Sequence, residues 1–576
     1  MSATATATDR RPVAVVTGGG GGIGAAIAEQ LGREGWFVVT VDPLVSVDGS
    51  EQLPAPEETT AGRIVAAGGA ARASAISVTE GDAVCGLFRD LVGELGRLDA
   101  VVNMAGISRP TSFARGSEQD WLSVLTVHLD GYLNVLGAAL PIMAAAGRGR
   151  IVGVTSGSGW RQADTGAYGC AKRAVASLTW QLGRHAPAGV TVNAMSPIAM
   201  TRMVAAALGG ARAGGGGGSG SAPPTPGGLS LGSMPAPDQL GPFGAHLVSD
   251  GFGWCTGRVL FAGGSEVAVV EEPRLLEVVR ADRAAAAARL LEAATAAVLA
   301  PAEASQASTG GSNARLGPIP ERPMDGGLPP GAVRSCAVVT DRPAVTAAVT
   351  AALEARAVTC IPVPARDIAA GFAGAAGALA GTAERAGRLD AVVVALAGGS
   401  GAGDAPSAWE RVLAEHAALV DQIRDDAGWA RAVADHAVHA DRPVRLVTLT
   451  DAVTAGGRSR AQASAQLARA SLRATGDRVA AFAVTVETSA ASGLELSGEL
   501  AAHLVCSREA PALSGAELVA GAGWVGLRSH PRPSGSVSLG GPDLPGWLDG
   551  ALRDIVGAPG PQESGRAQHP RAEEGS

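Results

Sequence analysis

The feature that most constrains this chain of 576 residues is an internal repeat. Short landmarks of the first half recur in the same order in the second half. The matching pairs are residues 96–102 and 387–393 (both GRLDAVV), 150–152 and 445–447, 190–192 and 484–486, 245–248 and 502–505, and Trp121 with His128 against Trp409 with His416. Self-similarity over such a distance indicates duplication of one structural unit. The sequence therefore predicts two tandem copies of one fold.

Strand-like and helical stretches alternate along the first half. Apolar runs typical of strands lie at residues 13–17, 37–41, 100–103, 150–155, 190–194 and 258–262. Strands that alternate with helices are typical of a parallel sheet covered by helices on both faces. We predict an α/β protein of two tandem Rossmann-like, doubly wound parallel-sheet domains, the second of them degenerate.

Shifts in composition divide the chain into segments. The predicted organisation is a disordered N-terminus (1–11), a catalytic domain (12–272) with a low-complexity insertion (209–238), a segment that begins as a helix to about 299 and continues as a Pro/Gly/Ser linker (273–333), a degenerate domain (334–528) and a disordered tail (529–576). The insertion buries too little apolar surface to order itself. We therefore expect it to be poorly ordered without a ligand.

Charge and composition exclude several classes of function. The net charge of −8 argues against a nucleic-acid partner, because binding phosphates requires clustered positive charge. The sequence contains no run of about 18 apolar residues, so it predicts no membrane span. The polar N-terminus does not resemble a secretory signal. The six cysteines lie far apart, without the spacing of metal ligands. We expect a cytoplasmic protein with reduced thiols and no bound metal.

A glycine-rich turn follows the first predicted strand and opens a helix. It runs from Thr17 to Gly24 (TGGGGGIG). Glycines let the backbone approach a pyrophosphate closely, and the helix N-terminus favours its negative charge. A flexible loop is the alternative interpretation of the glycines alone. Asp42, at the end of the second strand, favours the dinucleotide site, because its carboxylate would accept hydrogen bonds from ribose hydroxyls and repel a 2′-phosphate. The predicted cofactor is therefore NAD(H), with NADP disfavoured.

Three side chains form a predicted chemical centre. Tyr168 and Lys172 lie four residues apart in a helical stretch, so they share one face, and Ser156 ends the central strand 12 residues before the tyrosine. A phenol is a poor base at neutral pH, and a neighbouring ammonium lowers its pKa. Lys172 is the only lysine in a chain that otherwise uses arginine. A lysine retained in such a chain suggests a need for an amine.

Together these motifs resemble the short-chain dehydrogenase/reductase family over about the first 270 residues. Residues 17–24 match its TGxxxGxG motif, and residues 103–106 (NMAG) approximate its NNAG motif. The resemblance implies that Tyr168 is the general acid/base and that Ser156 orients the substrate oxygen. It implies that Lys172 lowers the pKa of Tyr168 and binds the nicotinamide ribose.

The resemblance also implies a set of cofactor-binding residues at the ends of the strands. The set is Thr17, Gly18, Gly20, Gly22, Ile23, Gly24, Asp42, Ser77, Val78, Asn103, Ala105, Gly106, Tyr168, Lys172, Pro197, Ile198 and Thr201. Ser77 stands where the family commonly has an Asp beside adenine.

Departures from the family pattern narrow the subgroup. His128 replaces the Asn that supports a proton-relay water, Pro197 is followed by Ile198 instead of Gly, and residues 43–60 form an insertion. These features resemble the (3R)-hydroxyacyl-CoA dehydrogenase part of peroxisomal multifunctional enzyme type 2. That resemblance implies oxidation of a 3-hydroxyacyl thioester or reduction of its 3-oxo form. His128 is predicted as a catalytic relay residue, with a packed helix histidine as the equal alternative.

The second copy lacks this chemistry. Its first strand leads into Asp341 and Pro343 instead of glycines, and a carboxylate there would repel a pyrophosphate. Alignment places Asp451 at the position of Ser156, and Gln462 and Gln466 at those of Tyr168 and Lys172; glutamine supplies neither a base nor a positive charge. We predict a catalytically silent domain that occupies the place of a second subunit in an internal pseudo-dimer. A further homodimer stays open.

Three hypotheses about function remain at this stage. The leading one is an NAD(H)-dependent oxidoreductase acting on a secondary alcohol or ketone, with a 3-hydroxyacyl or 3-oxoacyl thioester as the small-molecule substrate. The second is a ketoreductase for a polyketide, steroid or other small ketone. The third, from another class, is a non-catalytic NAD-sensing or scaffold protein.

Overall fold

The structure is a computed structural model. It describes residues 11–206, 234–281, 284–306, 308–309, 318–319, 333–364, 368, 371–398, 405–541 and 543–557. Most of the predicted insertion, much of the linker and residues 1–10 lie outside these ranges. Residues 234–240 of the insertion region are described, and Pro237–Leu240 form a 3₁₀ turn.

The first half alternates strands and helices as the sequence predicts. Its strands are β1 (Val13–Thr17), β2 (Phe37–Val41), β3 (Ala70–Ser74), β4 (Ala100–Asn103), β5 (Gly149–Val154), β6 (Val190–Pro197), β7 (Val259–Ala262) and β8 (Glu266–Glu271). Its helices are α1 (Gly22–Arg33), α2 (Thr60–Ala66), α3 (Gly81–Leu95), α4 (Glu118–Leu125), α5 (Gly131–Ala146), α6 (Gly166–His185) and α7 (Gly241–His246).

The segment that joins the halves contains β9 (Leu275–Arg280), α8 (Ala284–Ala294), α9 (Ala300–Ala304) and the two-residue strands β10 (Ser308–Thr309) and β11 (Pro318–Ile319). The second half contains β12 (Ser335–Val339), α10 (Pro343–Glu354), β13 (Thr359–Val363), α11 (Gly371–Ala386), β14 (Ala391–Val394), α12 (Ala408–Glu415), α13 (Leu419–His439), β15 (Val444–Asp451), α14 (Ala455–Arg469), α15 (Ser471–Thr475), β16 (Val479–Val486), α16 (Ala491–Cys506), β17 (Glu517–Gly521), β18 (Trp524–Arg528), β19 (Arg532–Ser538) and α17 (Leu548–Gly557).

Two large sheets confirm the predicted fold class. The first has the order β3-β2-β1-β4-β5-β6-β7-β8-β19 and the second β13-β12-β14-β15-β16-β17-β18-β9. From β3 to β7, and from β13 to β17, all neighbours are parallel. Strands buried on both faces read as continuous apolar runs, and β1 (VAVVT) is buried along its whole length.

Each half gives one edge strand to the other half. β9 follows the first half but pairs antiparallel with β18 of the second sheet. β19 follows the second half but pairs antiparallel with β8 of the first sheet. This reciprocal exchange pairs one edge of each sheet, at β8 and at β18, whose N–H and C=O groups would otherwise lack partners on that side.

Two predicted boundaries are wrong for the same reason. The sequence predicts a helix from residue 273, whereas residues 275–280 (LLEVVR) form β9. It predicts a disordered tail over residues 529–576, whereas residues 532–538 form β19 and residues 548–557 form α17; residues 558–576 lie outside the described residues. Both segments are short. Their strands pair with the distant half of the chain, and a local sequence pattern does not reveal such pairing.

The halves also share a continuous apolar core. Helices α6 and α14 pack against each other, and Gln181 of α6 donates hydrogen bonds to the Ala455 carbonyl at 3.1 Å and the Ser459 hydroxyl at 3.2 Å. One cluster of buried side chains runs from Trp121 in the first half to Trp429 in the second. The halves therefore fold onto each other through side chains as well as through exchanged strands.

One described helical stretch is long and apolar enough, by length and composition alone, to cross a membrane. It runs from Glu118 to Ala146, and half of its most apolar window is buried within the protein. It comprises α4, a π-helical turn at Thr126–Asp130 and α5. Leu136 and Leu140 of α5 belong to the shared core, as expected for a core helix.

We predict that Leu552 of α17 stabilises the first half. Its side chain is completely buried in the cluster that contains Ile27 and Phe252. Leu552→Ala is therefore expected to lower the free energy of unfolding by about 2–5 kcal/mol, through lost apolar contacts and the cavity left behind. Chemical denaturation measures this change. Trp547→Ala is the control, since Trp547 is 54% exposed, and equal effects of the two substitutions would contradict the packing of α17.

Candidate active site

The glycine turn forms a close-fitting backbone surface at the carboxyl end of β1. Gly18 and Gly22 have φ angles of +65° and +56°, which side chains rarely allow. A Cβ atom on Gly18 would lie 2.7 Å from the Met104 carbonyl carbon, and one on Gly24 would lie 2.2 Å from the Gly18 oxygen. Larger residues would push the turn, α1 and the β4 loop apart. Ile23, in the first turn of α1, packs against the apolar cluster beneath.

Asp42 lies directly beside this turn. Its Oδ2 accepts a hydrogen bond from the Gly20 N–H at 2.9 Å, and its Oδ1 accepts one from the Leu44 N–H at 2.8 Å. Each carboxylate oxygen accepts more than one hydrogen bond, so both keep capacity for a ligand. A side chain on Gly20 would collide with the carboxylate, with its Cβ 2.7 Å from Cγ. A cradle that only glycine permits, next to a fixed carboxylate, fits a dinucleotide.

Thr17 joins the turn to the segment after β4. Its hydroxyl donates to Asn103 Oδ1 at 2.7 Å and accepts from the Ala105 N–H at 3.3 Å. Gly106 is required for a different contact, because a Cβ there would lie 2.5 Å from Cε1 of His128. The structure thus brings residues 103–106 between the glycine turn and the predicted catalytic side chains.

The remaining predicted cofactor residues lie in two segments, one after β6 and one after β3. Beyond Pro197, at the end of β6, the Ile198 N–H bonds to the Ala262 carbonyl and Thr201 lies against the glycine turn. A Cβ on Gly22 would be 3.7 Å from Thr201 Cγ2.

Ser77 and Val78 follow β3 and make local contacts. The Ser77 hydroxyl bonds to Thr79 at 2.8 Å. Val78 is buried, and its carbonyl accepts from Asn134 of α5 at 2.9 Å. These contacts fix the loop against α5. The structure shows no bond from Ser77 to the glycine turn.

Ser156, Tyr168 and Lys172 meet where β5 ends and α6 begins. The Lys172 amine lies 5.5 Å from the centre of the Tyr168 ring and donates to the Val154 carbonyl at 2.9 Å. The Ser156 hydroxyl is close enough to Tyr168 to lower the pKa of its phenol by hydrogen bonding. The Thr155 hydroxyl donates to the Lys172 carbonyl at 2.6 Å and so fixes the helix against the strand. The predicted chemical centre is thus assembled in one place.

Burial sets the ionisation of this centre. It raises the pKa of Tyr168, which the hydrogen bond from Ser156 partly offsets. It lowers the pKa of Lys172 to about 7. The sequence predicts a phenol acidified by an ammonium group. In the structure, desolvation outweighs that effect for the half-buried Tyr168, and it also disfavours the charged form of the fully buried Lys172.

His128 lies against the tyrosine within the π-helical turn. Its ring is buried, packs edge-on to Tyr168 at 5.2 Å between ring centres, and places Nε2 2.8 Å from the Ile107 carbonyl. Burial, followed by the charge of Lys172, holds its pKa well below the usual value. A neutral ring that donates from Nε2 leaves Nδ1 as an acceptor, and Nδ1 has no partner among the described residues. Both the packing and the relay interpretations stay predictions.

The corresponding crevice of the second half contains ion pairs instead. Arg342 lies 3.3 Å from Asp451, which aligns with Ser156. Arg460 forms a buried two-pronged pair with Asp426, at 2.9 and 2.7 Å, and also donates to the Leu396 carbonyl. These side chains connect elements of the second half that correspond to the elements around the cofactor crevice of the first half.

The aligned glutamines are not placed as the sequence predicts. Gln462 and Gln466 bond to Arg173 of the first half, so they face the other domain and not their own crevice. The connection from β15 to α14 spans only residues 452–454, whereas residues 155–165 connect β5 to α6. The earlier start of α14 changes which of its faces points inward. The absence of a catalytic pair still holds, because the chain has no tyrosine or lysine after Lys172.

Sequence reasoning missed Arg173, which directly follows Lys172. This arginine is completely buried and forms an ion pair with Glu517 at 2.5 Å. The available signal was a second cation directly beside Lys172 in the middle of the helix. Among the described residues, no group of three or more His, Cys, Asp or Glu side chains is arranged to hold a metal.

Comparisons with known proteins concern the first half. The family model described as short chain dehydrogenase matches residues 12–209. The short-chain reductase protein NovJ of Streptomyces niveus is 33% identical over 45% of this chain and 96% of its own. The acetoacetyl-CoA reductase of Allochromatium vinosum is 30% identical over 44% of this chain and 97% of its own. The peroxisomal hydratase-dehydrogenase-epimerase of Saccharomyces cerevisiae is 34% identical over 33% of this chain and 21% of its own.

Proposed function

Because this chain belongs to the short-chain dehydrogenase/reductase family, we propose that it is an oxidoreductase that moves a hydride between NAD(H) and a secondary alcohol or ketone. One observation carries the proposal. Ser156, Tyr168 and Lys172 converge beside the glycine turn, at the carboxyl end of a parallel sheet. Ligands of doubly wound folds bind at this end of the strands.

The side chains have distinct roles in this proposal. A bound nicotinamide would supply or accept the hydride. Ser156 orients the substrate oxygen by a hydrogen bond, and the Tyr168 hydroxyl exchanges a proton with that oxygen. Burial raises the pKa of Tyr168, so the phenol is protonated at neutral pH, as needed to protonate a ketone oxygen during reduction. The pKa of Lys172 is about 7, so its amine exchanges protons readily near neutrality.

The substrate class is the finer part of the proposal. We propose a 3-hydroxyacyl or 3-oxoacyl thioester, which the insertion at residues 43–60 and the segment from Pro197 support by resemblance. The names of the Allochromatium and Saccharomyces relatives are consistent with it. The alternative is a small ketone such as a polyketide or steroid. NADH oxidation assayed against 3-oxoacyl thioesters, ketosteroids and simple ketones separates the two.

Tyr168→Phe tests whether the protein is an enzyme at all. The substitution removes one hydroxyl from a packed ring. We expect turnover to fall by about 100-fold or more, because it removes the proton donor, whereas NADH affinity is retained. Steady-state kinetics and fluorescence titration with NADH measure both quantities. Unchanged activity would contradict the proposed mechanism, and a wild-type protein that binds NADH without turning over any tested substrate would favour the sensing alternative.

The preference for NAD over NADP depends on Asp42. We expect Asp42→Asn to weaken NADH binding by roughly 10-fold, by loss of charge-assisted hydrogen bonds, and to improve NADPH binding relative to NADH by removing a repulsive charge. Calorimetric titration with each cofactor measures the ratio. If the wild-type protein already binds NADPH more tightly than NADH, the proposed role of Asp42 is wrong.

We also propose that the second half takes the place of a partner subunit. The packing of α6 against α14 and the exchange of β9 and β19 support this pseudo-dimer. A fragment of residues 1–300 lacks β19, α17 and the whole second half. It is therefore expected to aggregate or self-associate, since the α6 surface and the β8 edge would be exposed. Sedimentation analysis reports its size, and a stable, fully active monomer would exclude the proposal.

A further inference from the structure

A buried polar network joins the two halves next to the active site. Arg173 lies at its centre, with Nη2 2.5 Å from Glu517 Oε2 and Nε donating to Gln462 Oε1 at 3.0 Å. Gln462 in turn donates to the other oxygen of Glu517. Arg173 is fully buried, and the carboxylate of its ion pair, Glu517, belongs to the second half. The catalytic helix therefore depends on the silent half for its buried charge.

Gln466 extends this network to the active-site loop. Its Oε1 accepts a hydrogen bond from Arg173 Nη1 at 3.4 Å, and this orientation of the amide turns its nitrogen towards the loop between β5 and α6. From there Nε2 donates to the Ser158 carbonyl at 3.0 Å and to the Arg161 carbonyl at 2.9 Å. A single buried amide of the second half thus satisfies two backbone acceptors of one loop.

That loop is continuous with Ser156. Residues 157–159 form a 3₁₀ turn, and the Ser156 hydroxyl accepts from the Ser158 N–H at 3.3 Å. A Cβ on Gly159 would lie 2.9 Å from the backbone nitrogen of Arg173, so the turn lies directly against α6. One side of this loop therefore accepts hydrogen bonds from Gln466, and the other side donates a hydrogen bond to the Ser156 hydroxyl.

We infer that Gln466 is a positioning residue, through which the non-catalytic half orders residues 157–165 and orients Ser156 towards the substrate oxygen. Gln466 touches no reacting atom, and it acts through the loop. The inference rests on the proposed function for its effect on rate, while the ordering of the loop does not depend on any substrate. The second half accordingly has a structural role in the active site of the first half.

Gln466→Glu isolates the donor function. The carboxylate keeps the size of the side chain and the acceptor for Arg173, but it cannot donate to the two loop carbonyls. We expect faster amide hydrogen exchange in peptides covering residues 157–165 and a fall in kcat of roughly 10- to 100-fold, since small misplacements of catalytic groups reduce rates by this order. NADH affinity is expected to stay unchanged, because the glycine turn is not part of the network.

Gln181→Glu is the matched control. Gln181 lies on the same interface, donates to the Ala455 carbonyl and accepts from Arg458 Nε at 2.8 Å. It lies more than two helical turns from the loop along α6. Its replacement loses the same kind of bond between the halves, with an arginine again beside the new carboxylate. Exchange in residues 157–165 and kcat are expected to match the wild-type protein.

The outcomes separate this inference from the proposed function. If Gln466→Glu leaves loop exchange unchanged, or if both variants loosen the loop equally, the positioning role is wrong. If the wild-type protein turns over no substrate, the proposed function fails, and the exchange comparison alone decides the inference. Should Gln466→Glu fail to fold, Gln466→Asn, which keeps the amide but is one methylene too short to reach the loop, gives the same test.

Discussion

Helix α6 is buried on nearly all of its faces, and the rest of the structure depends on this constraint. One face carries Lys172 towards the end of β5, and a different part of the helix surface carries Arg173 and Gln181 towards α14. A doubly wound domain covers only one side of such a helix with its own sheet. The other side needs a second body, and this chain provides one by duplication. The predicted catalytic side chains and the packing of the halves therefore share the same helix.

The buried Arg173–Glu517 pair shows how specific this packing is. Burying two charges costs several kcal/mol, which their attraction offsets only when geometry and further hydrogen bonds are good. Here Gln462 bonds to both members of the pair, and the whole network is enclosed between the halves. Such a network contributes less to stability than to register, because any shift of α14 along α6 would leave charged groups without partners.

The second half keeps the architecture of the first half but contains no tyrosine or lysine. It repeats the strand order of the first half apart from β3, while ion pairs such as Arg342 with Asp451 occupy its crevice. The contacts with α6 and the exchanged strand β19 are formed, although the glycine motif is absent from the second half.

The sequence by itself determined the repeat, the parallel sheets, the glycine turn with Asp42, and the Ser156, Tyr168 and Lys172 set, because each depends on local periodicity or on residues close together along the chain. Only the tertiary structure decided that residues 275–280 and 532–538 are exchanged strands and that Gln462 and Gln466 face the catalytic half. It also decided that burial raises the pKa of Tyr168, whereas the sequence predicts that Lys172 lowers it. The exchanged strands and the glutamine contacts arise between segments hundreds of residues apart, and the pKa depends on how the folded chain encloses the phenol. Neither has a counterpart in a local sequence pattern.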